Sequence, residues 1–143
     1  METNVRLHHL AISVENLERS VDWYKKMLGL EVINRMTIEH NGTKIAFVGN
    51  EQFVIEILEV PDHNPIPADR SHPDTDNATC GVKHFCIITD NNLDYIAWLK
   101  SQGVKVVFEF QPGGVESYAA FINDPDGNVI EVFDSENLVC GRR

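Results

Sequence analysis

The chain repeats itself at an offset of 75 residues, and no other feature limits its fold so strongly. The stretch 7–12 (LHHLAI) corresponds to 82–87 (VKHFCI), and 54–59 (VIEILE) corresponds to 129–134 (VIEVFD). A repeat of this kind predicts two copies of one supersecondary unit, which together bury the apolar faces that neither could bury alone.

Each copy has the pattern of a strand, a helix and three further strands. In the first copy a β-rich stretch is followed by Asn16, a helix N-cap residue, and by an apolar stripe at helical spacing that ends at Gly29. Asn41-Gly42 then predicts a two-residue hairpin turn. The fold class expected is therefore α+β, with two tandem βαβββ modules in a single domain, 1–143. The predicted organisation is module 1 at 6–60, a linker at 61–80, module 2 at 81–135 and a C-terminal tail at 136–143.

The composition is that of a globular protein with an acidic surface. Of its 143 residues, 43% are hydrophobic and 24% are charged, which excludes a wholly disordered chain. The net charge of −10 repels phosphate backbones and anionic lipid, so we expect no nucleic-acid partner and no membrane partner. No apolar run approaches the ~20 residues of a membrane helix. A small molecule is the expected partner.

The cysteines indicate a cytoplasmic location. Cys80, Cys86 and Cys140 are odd in number, widely spaced and without a CxxC pair. Such usage is typical of the reducing cytosol rather than of a disulfide framework. The first residues also lack the charged-then-apolar order of a signal peptide.

Two histidines and two glutamates repeat together with the modules. His9 and His84 are the only histidines 75 residues apart, and Glu56 and Glu131 are the only glutamates with that separation. Within each module the histidine and the glutamate are 47 residues apart. Each glutamate lies between apolar neighbours on one strand face, where a carboxylate is costly to bury unless a cation or hydrogen bonds meet it.

Two imidazoles and two carboxylates form a mixed nitrogen and oxygen donor set for a divalent metal. Such a set suits Ni, Zn or Co, and also Fe or Mn. The alternative interpretation is a hydrogen-bonded core histidine and a solvated glutamate in each module. His8 is the nearest rival to His9, but its counterpart in the repeat is Lys83, so we expect it to face the other way. The remaining histidines are expected to be solvated: His40, His63 and His72.

At these residues the sequence resembles the vicinal oxygen chelate superfamily. This superfamily contains glyoxalase I, methylmalonyl-CoA epimerase, extradiol dioxygenases, and fosfomycin and bleomycin resistance proteins. The resemblance implies paired βαβββ modules that build a curved, eight-stranded mixed sheet around one metal. The stretches that carry the resemblance are 9–14 (HLAISV), 23–30 (WYKKMLGL), 81–84 (GVKH), 124–128 (DPDGN) and 130–131 (IE).

Among these proteins the ligand order is most similar to that of glyoxalase I, a lactoylglutathione lyase. The resemblance implies metal ligands His9, Glu56, His84 and Glu131 in chain order. It also implies Glu131 as the catalytic base, with Glu56 as an alternative base on the opposite face of the substrate. Arg35 is the implied contact for a carboxylate of glutathione, the implied cosubstrate. A homodimer is expected, with His9 and Glu56 from one subunit and His84 and Glu131 from the other.

The chemistry expected is proton transfer next to a carbonyl, through an enediolate. In the glyoxalase I reaction a hemithioacetal of a 2-oxoaldehyde and a thiol becomes a 2-hydroxyacyl thioester. The first alternative is an epimerase that inverts a centre α to a thioester, as in methylmalonyl-CoA. The further alternatives are a non-catalytic protein that binds a small molecule and an Fe(II) extradiol dioxygenase.

Overall fold

The computed structural model describes residues 4–110 and 118–134, which form two compact units divided after Pro65. The predicted tail at 136–143 lies outside the described residues. The first unit contains four strands and one helix: β1 (Leu10–Val14), α1 (Leu17–Leu28), β2 (Glu31–Ile38), β3 (Thr43–Gly49) and β4 (Val54–Glu59).

The strands of the first unit form one mixed sheet in the order β1-β4-β3-β2. β1 pairs with β4 in parallel, whereas β4 pairs with β3, and β3 with β2, in antiparallel fashion. One face of the sheet packs against α1, because the side chains of Val21 and Tyr24 on the helix and of Ile55 and Ile57 on β4 are all buried. Burial of these apolar side chains is the main stabilising contribution to the unit.

Helix α1 begins and ends at the residues that the sequence predicts. The Asn16 side chain accepts a hydrogen bond from the Arg19 backbone N–H at 2.9 Å, which satisfies one of the free donors of the first turn. Gly29 ends the helix at φ 66°, in the left-handed region, and its N–H bonds to the Lys25 carbonyl. Both termini of the helix are therefore determined locally.

The second unit repeats the arrangement of the first. Its strands form a mixed sheet in the order β5-β8-β7-β6, with β5 and β8 parallel and the other pairs antiparallel. Its elements are a 3₁₀ turn (Ala68–Arg70), α2 (Pro73–Asp76), β5 (Phe85–Thr89), α3 (Asn92–Ser101), β6 (Val106–Phe110), β7 (Ala119–Asn123) and β8 (Val129–Asp134).

The α+β class and the two βαβββ modules are confirmed, and all eight predicted strands are present, hydrogen-bonded as two sheets of four. Among the described residues, no helix has both the length and the apolar character that crossing a membrane requires.

Two details differ from the predictions. The hairpin between β2 and β3 has a four-residue loop, 39–42, rather than a two-residue turn, because the Gly42 N–H bonds back to the Ile38 carbonyl at 2.8 Å. The second difference is in the predicted linker at 61–80, which contains the 3₁₀ turn and α2, both within the second unit. His72 caps α2 by accepting a hydrogen bond from the Asp74 N–H.

Candidate metal centre

His9 and Glu56 lie side by side in the first unit. His9 directly precedes β1, and Glu56 lies in the middle of β4, the parallel neighbour of β1, opposite Ala11. The Nε2 atom of His9 is 3.2 Å from the Oε2 atom of Glu56. The parallel pairing of the first and last strands thus brings together two residues that are 47 positions apart in the chain.

His84 and Glu131 form the same pair in the second unit. His84 directly precedes β5, Glu131 lies in β8 opposite Cys86, and the distance between Nε2 and Oε2 is again 3.2 Å. The histidine side chains are 34% and 30% exposed and the glutamates 19% and 17%, in module order. Each pair is therefore partly shielded and still open to a ligand.

An aromatic ring supports each histidine, which the sequence interpretation did not include. Phe47 lies opposite Glu56 in the β3–β4 register, and Phe121 lies opposite Glu131 in the β7–β8 register. Their rings meet His9 and His84 edge to face, at centroid distances of 5.7 and 5.0 Å. The signal was present in the repeat, because 46–48 (AFV) and 120–122 (AFI) correspond at an offset of 74.

The donor atoms of each pair fit a divalent metal. Two ligands that bind a metal at right angles, each about 2.1 Å from it, lie about 3.0 Å apart, close to the 3.2 Å observed in both pairs. Each pair supplies one imidazole nitrogen and one carboxylate, a combination that suits the transition metals named above. Within each unit, no third Cys, His, Asp or Glu of the described residues joins the pair. Catalytic zinc sites use three protein ligands, so one pair alone supplies fewer ligands than such a site needs.

Arg35 lies away from the first pair. A register shift between Val32 and Asn34 sets Asn34 opposite Phe47 and Arg35 opposite Ala46. Side chains alternate between the two faces of a strand, so Arg35 points to the face that carries α1. There its guanidinium binds Glu18 of the helix through two hydrogen bonds, of 2.5 and 3.0 Å. The structure therefore does not bring Arg35 together with His9 and Glu56.

The other histidines have separate environments. The Nε2 atom of His72 is 3.1 Å from the Val107 carbonyl, and His63 lies 4.0 Å from a carboxylate oxygen of Glu15. His8 differs from the expectation that it faces away from His9, because the Nδ1 atoms of the two rings are 2.7 Å apart. His8 and His9 both lie before the start of β1, so the alternation of side chains along a strand does not apply to them.

Comparison with known proteins places the chain in a family. Residues 6–132 match the family model of the Glyoxalase/Bleomycin resistance protein/Dioxygenase superfamily. The chain is 31% identical over 135 residues to a lactoylglutathione lyase of Neisseria meningitidis, and the match covers 93% of each chain. It is 29% identical over 108 residues to the mitochondrial methylmalonyl-CoA epimerase of Homo sapiens, covering 73% of this chain and 57% of that protein.

Solved structures show the same fold. A glyoxalase family protein from Enterococcus faecalis superposes with a TM-score of 0.74 at 21% identity, covering 90% of this chain and 96% of that one. The trypanothione-dependent glyoxalase I of Leishmania major superposes with a TM-score of 0.73 at 22% identity, covering 93% and 88%. At these identities the likeness extends to the fold alone.

Proposed function

Because the chain belongs to the Glyoxalase/Bleomycin resistance protein/Dioxygenase superfamily, we propose that it is a metal-dependent lyase of the glyoxalase I kind. Its proposed substrate is the hemithioacetal of a 2-oxoaldehyde and a thiol. The observation that carries the proposal is the repeated His–Glu pair, with the same 3.2 Å separation of Nε2 and Oε2 in both units. The lactoylglutathione lyase of Neisseria meningitidis, which this chain matches over 93% of its length, supports glutathione as the thiol.

The proposed ligands of the metal are His9 and Glu56 from the first module and His84 and Glu131 from the second. A divalent ion in this set supplies Lewis-acid polarisation of two adjacent substrate oxygens. The two imidazoles are neutral donors, so the two carboxylates balance the double charge of the ion. In the proposed assembly, a homodimer, each centre takes one pair from each subunit.

The proposed proton carrier is Glu131. In the hemithioacetal, its carboxylate takes the proton from the carbon that bears the thiol, which leaves an enediolate of the substrate, and returns the proton to the neighbouring carbon. The hydroxyl proton passes between the two oxygens, and the product is a 2-hydroxyacyl thioester with no atom gained or lost. Glu56 is the alternative carrier on the opposite face, because its pair has the same separation.

The decisive experiment measures thioester formation from methylglyoxal and glutathione by absorbance, with protein loaded with Ni²⁺, Zn²⁺ or Co²⁺ in turn. We expect Glu131→Gln to lower kcat by about 10²–10⁴, the usual contribution of a general base. Glu31→Gln is the matched control, because Glu31 is 77% exposed and pairs only with Lys25 among the contacts described for it. Equal rates for wild type and Glu131→Gln would exclude the proposed reaction.

Metal content tests the ligand set without any substrate. We expect one metal ion per chain, because each chain supplies one His9–Glu56 pair and one His84–Glu131 pair. We expect His84→Ala to lose the metal. Metal bound at less than one ion per chain, with no loss of function in chelator, would favour a protein that only binds a small molecule. Light scattering tests the homodimer: an active monomer would exclude sites shared between subunits.

Arg35 remains the proposed contact for a carboxylate of the thiol. To serve in this way its guanidinium would have to leave Glu18, which accepts both of its described hydrogen bonds. It would also have to reach around β2, the edge strand, to the face of the sheet that carries Glu56. We expect Arg35→Gln to raise KM for the glutathione adduct and to leave kcat unchanged, because a uniform binding contact affects KM alone.

An epimerase is the second candidate, favoured by the 29% identity to human methylmalonyl-CoA epimerase. It needs the same removal of a proton α to a carbonyl. The net charge of −10 makes this chain a poor host for the phosphates of CoA. Deuterium incorporation into methylmalonyl-CoA from deuterated water, without thioester formation from methylglyoxal, would select this reaction.

A further inference from the structure

His8 and His9 are consecutive residues whose rings are joined by a hydrogen bond. Their Nδ1 atoms are 2.7 Å apart, and the two ring planes are nearly perpendicular, at 82°, with centroids 5.0 Å apart. A separation of 2.7 Å between two ring nitrogens requires one proton between them, because two lone pairs would repel each other. The two Nδ1 atoms therefore share one hydrogen bond.

This contact occupies the ring nitrogen of His9 that faces away from Glu56. The Nε2 atom of His9 points to the carboxylate, and the Nδ1 atom points to His8. A neutral imidazole that binds a metal through Nε2 carries its proton on Nδ1, and a hydrogen-bond acceptor for that proton fixes both the tautomer and the orientation of the ring. His8 has the acceptor atom that such a ligand needs.

We propose that His8 is a positioning residue for His9, an inference that rests on the proposed function because it takes His9 as a metal ligand. Its Nδ1 accepts the Nδ1–H of His9 when the Nε2 of His9 is a ligand. Phe47 meets the same ring edge to face, at a centroid distance of 5.7 Å. With Phe47, Glu56 and His8 around it, the imidazole of His9 has contacts that fix its tilt as well as its rotation.

The second module uses the corresponding position differently. Lys83 is the counterpart of His8 in the repeat, and its ammonium donates to the carbonyls of Asp76 and Thr79 and to the carboxylate of Asp76 at 3.1 Å. Lys83 is thus bound to α2 and its following turn rather than to the ring of His84. The two halves of the ligand set are therefore equivalent in their ligands and different in how the histidine is oriented.

The test compares two substitutions that differ only in the acceptor atom. His8→Asn places a side-chain oxygen close to the position of the original Nδ1, whereas His8→Leu removes the acceptor. His40→Leu is the matched control, because His40 is exposed and lies in the β2–β3 loop. The first readout is metal affinity, measured by competition with a coloured chelator. We expect His8→Leu to bind metal about 10–100-fold more weakly, as is usual when a partner of a ligating histidine is lost, with His8→Asn and His40→Leu close to wild type.

The second readout is the ring N–H signal of ¹⁵N-labelled histidine, recorded in metal-free protein and again in protein loaded with diamagnetic Zn²⁺. We expect a slowly exchanging proton shared between the two rings of wild type in both states. With Zn²⁺ bound, we expect this signal to be retained in His8→Asn and lost in His8→Leu. Equal metal affinities of wild type and His8→Leu, equal losses in both variants, or no such proton in wild type would overturn the inference. Failure of the proposed function would look different from failure of this inference. In that case wild type would bind no metal, while the proton shared by the two rings would still be seen.

Discussion

Glu59 ties the strand that carries Glu56 to the start of helix α1, and its removal should destabilise the first unit measurably. One carboxylate oxygen accepts the Leu17 N–H at 2.7 Å, and the other accepts a hydrogen bond from Lys44 at 2.6 Å. The Leu17 N–H, and then the Lys44 ammonium, lower the pKa of Glu59 below its ordinary value. The carboxylate also lies at the positive end of the helix dipole.

The magnitude follows from what each substitution removes. Glu59→Gln keeps an acceptor for Leu17 and loses the charge. The helix-dipole interaction contributes about 0.3–1 kcal/mol, and the ion pair lies at the low end of 0.2–1 kcal/mol because Lys44 is 56% exposed. We therefore expect a loss of about 1 kcal/mol. Glu59→Ala also leaves the Leu17 N–H without its acceptor, a further ~1 kcal/mol.

Urea unfolding measures the effect in a Trp98→Phe background, where Trp23 of α1 is the remaining tryptophan. With a slope of about 1 kcal/mol/M for a unit of this size, the midpoint of Glu59→Gln falls by about 1 M. The pKa of Glu59 is lowered on folding, so its contribution is complete above pH 4.5, the ordinary value, and disappears as the pH falls through the folded pKa. A difference from wild type that persists unchanged at still lower pH would refute the electrostatic origin.

Three other perturbations have expected outcomes. Asp76→Asn should lower the urea midpoint of the second unit at pH 7, because it removes a charged acceptor. Burial raises the pKa of Asp76, but hydrogen bonds from Lys83 and Arg70 outweigh it and hold the pKa below its usual value. The difference should therefore fade as the pH falls below 3.8, which unfolding at several pH values will check. Gly29→Ala should cost about 1 kcal/mol in the same assay, since φ is 66° and a new Cβ meets no atom within 4 Å, so that only backbone strain remains. Phe121→Leu should cost about 1 kcal/mol through its lost stacking and should weaken metal binding in the chelator assay.

The architecture could be predicted because its signals are local and occur twice. The N-cap at Asn16 and the left-handed glycine at Gly29 fix the helix with contacts a few residues apart. The repeat then transfers each assignment to the second module. The same duplication singled out the His–Glu pairs, since parallel pairing of the first and last strands brings equivalent residues together in each module.

What the sequence did not predict depends on backbone irregularity. The register shift between Val32 and Asn34 decides that Arg35 faces α1 and Asn34 faces Phe47, and one extra residue in a strand leaves no mark in a pattern of alternation. His8 was assigned to the wrong side for a related reason. It precedes the regular part of β1, where a period of two does not hold.

In both halves the first strand and the last strand are neighbours. The histidine of each His–Glu pair directly precedes the first strand, and the glutamate lies on the last. A shorter fragment of either half cannot form its His–Glu pair, because the histidine and the glutamate come from opposite ends of the module. The pair therefore forms only when the last strand of the module takes its place between the first and the third. Each half therefore contains a complete His–Glu pair of its own, and the second half repeats it with the same separation.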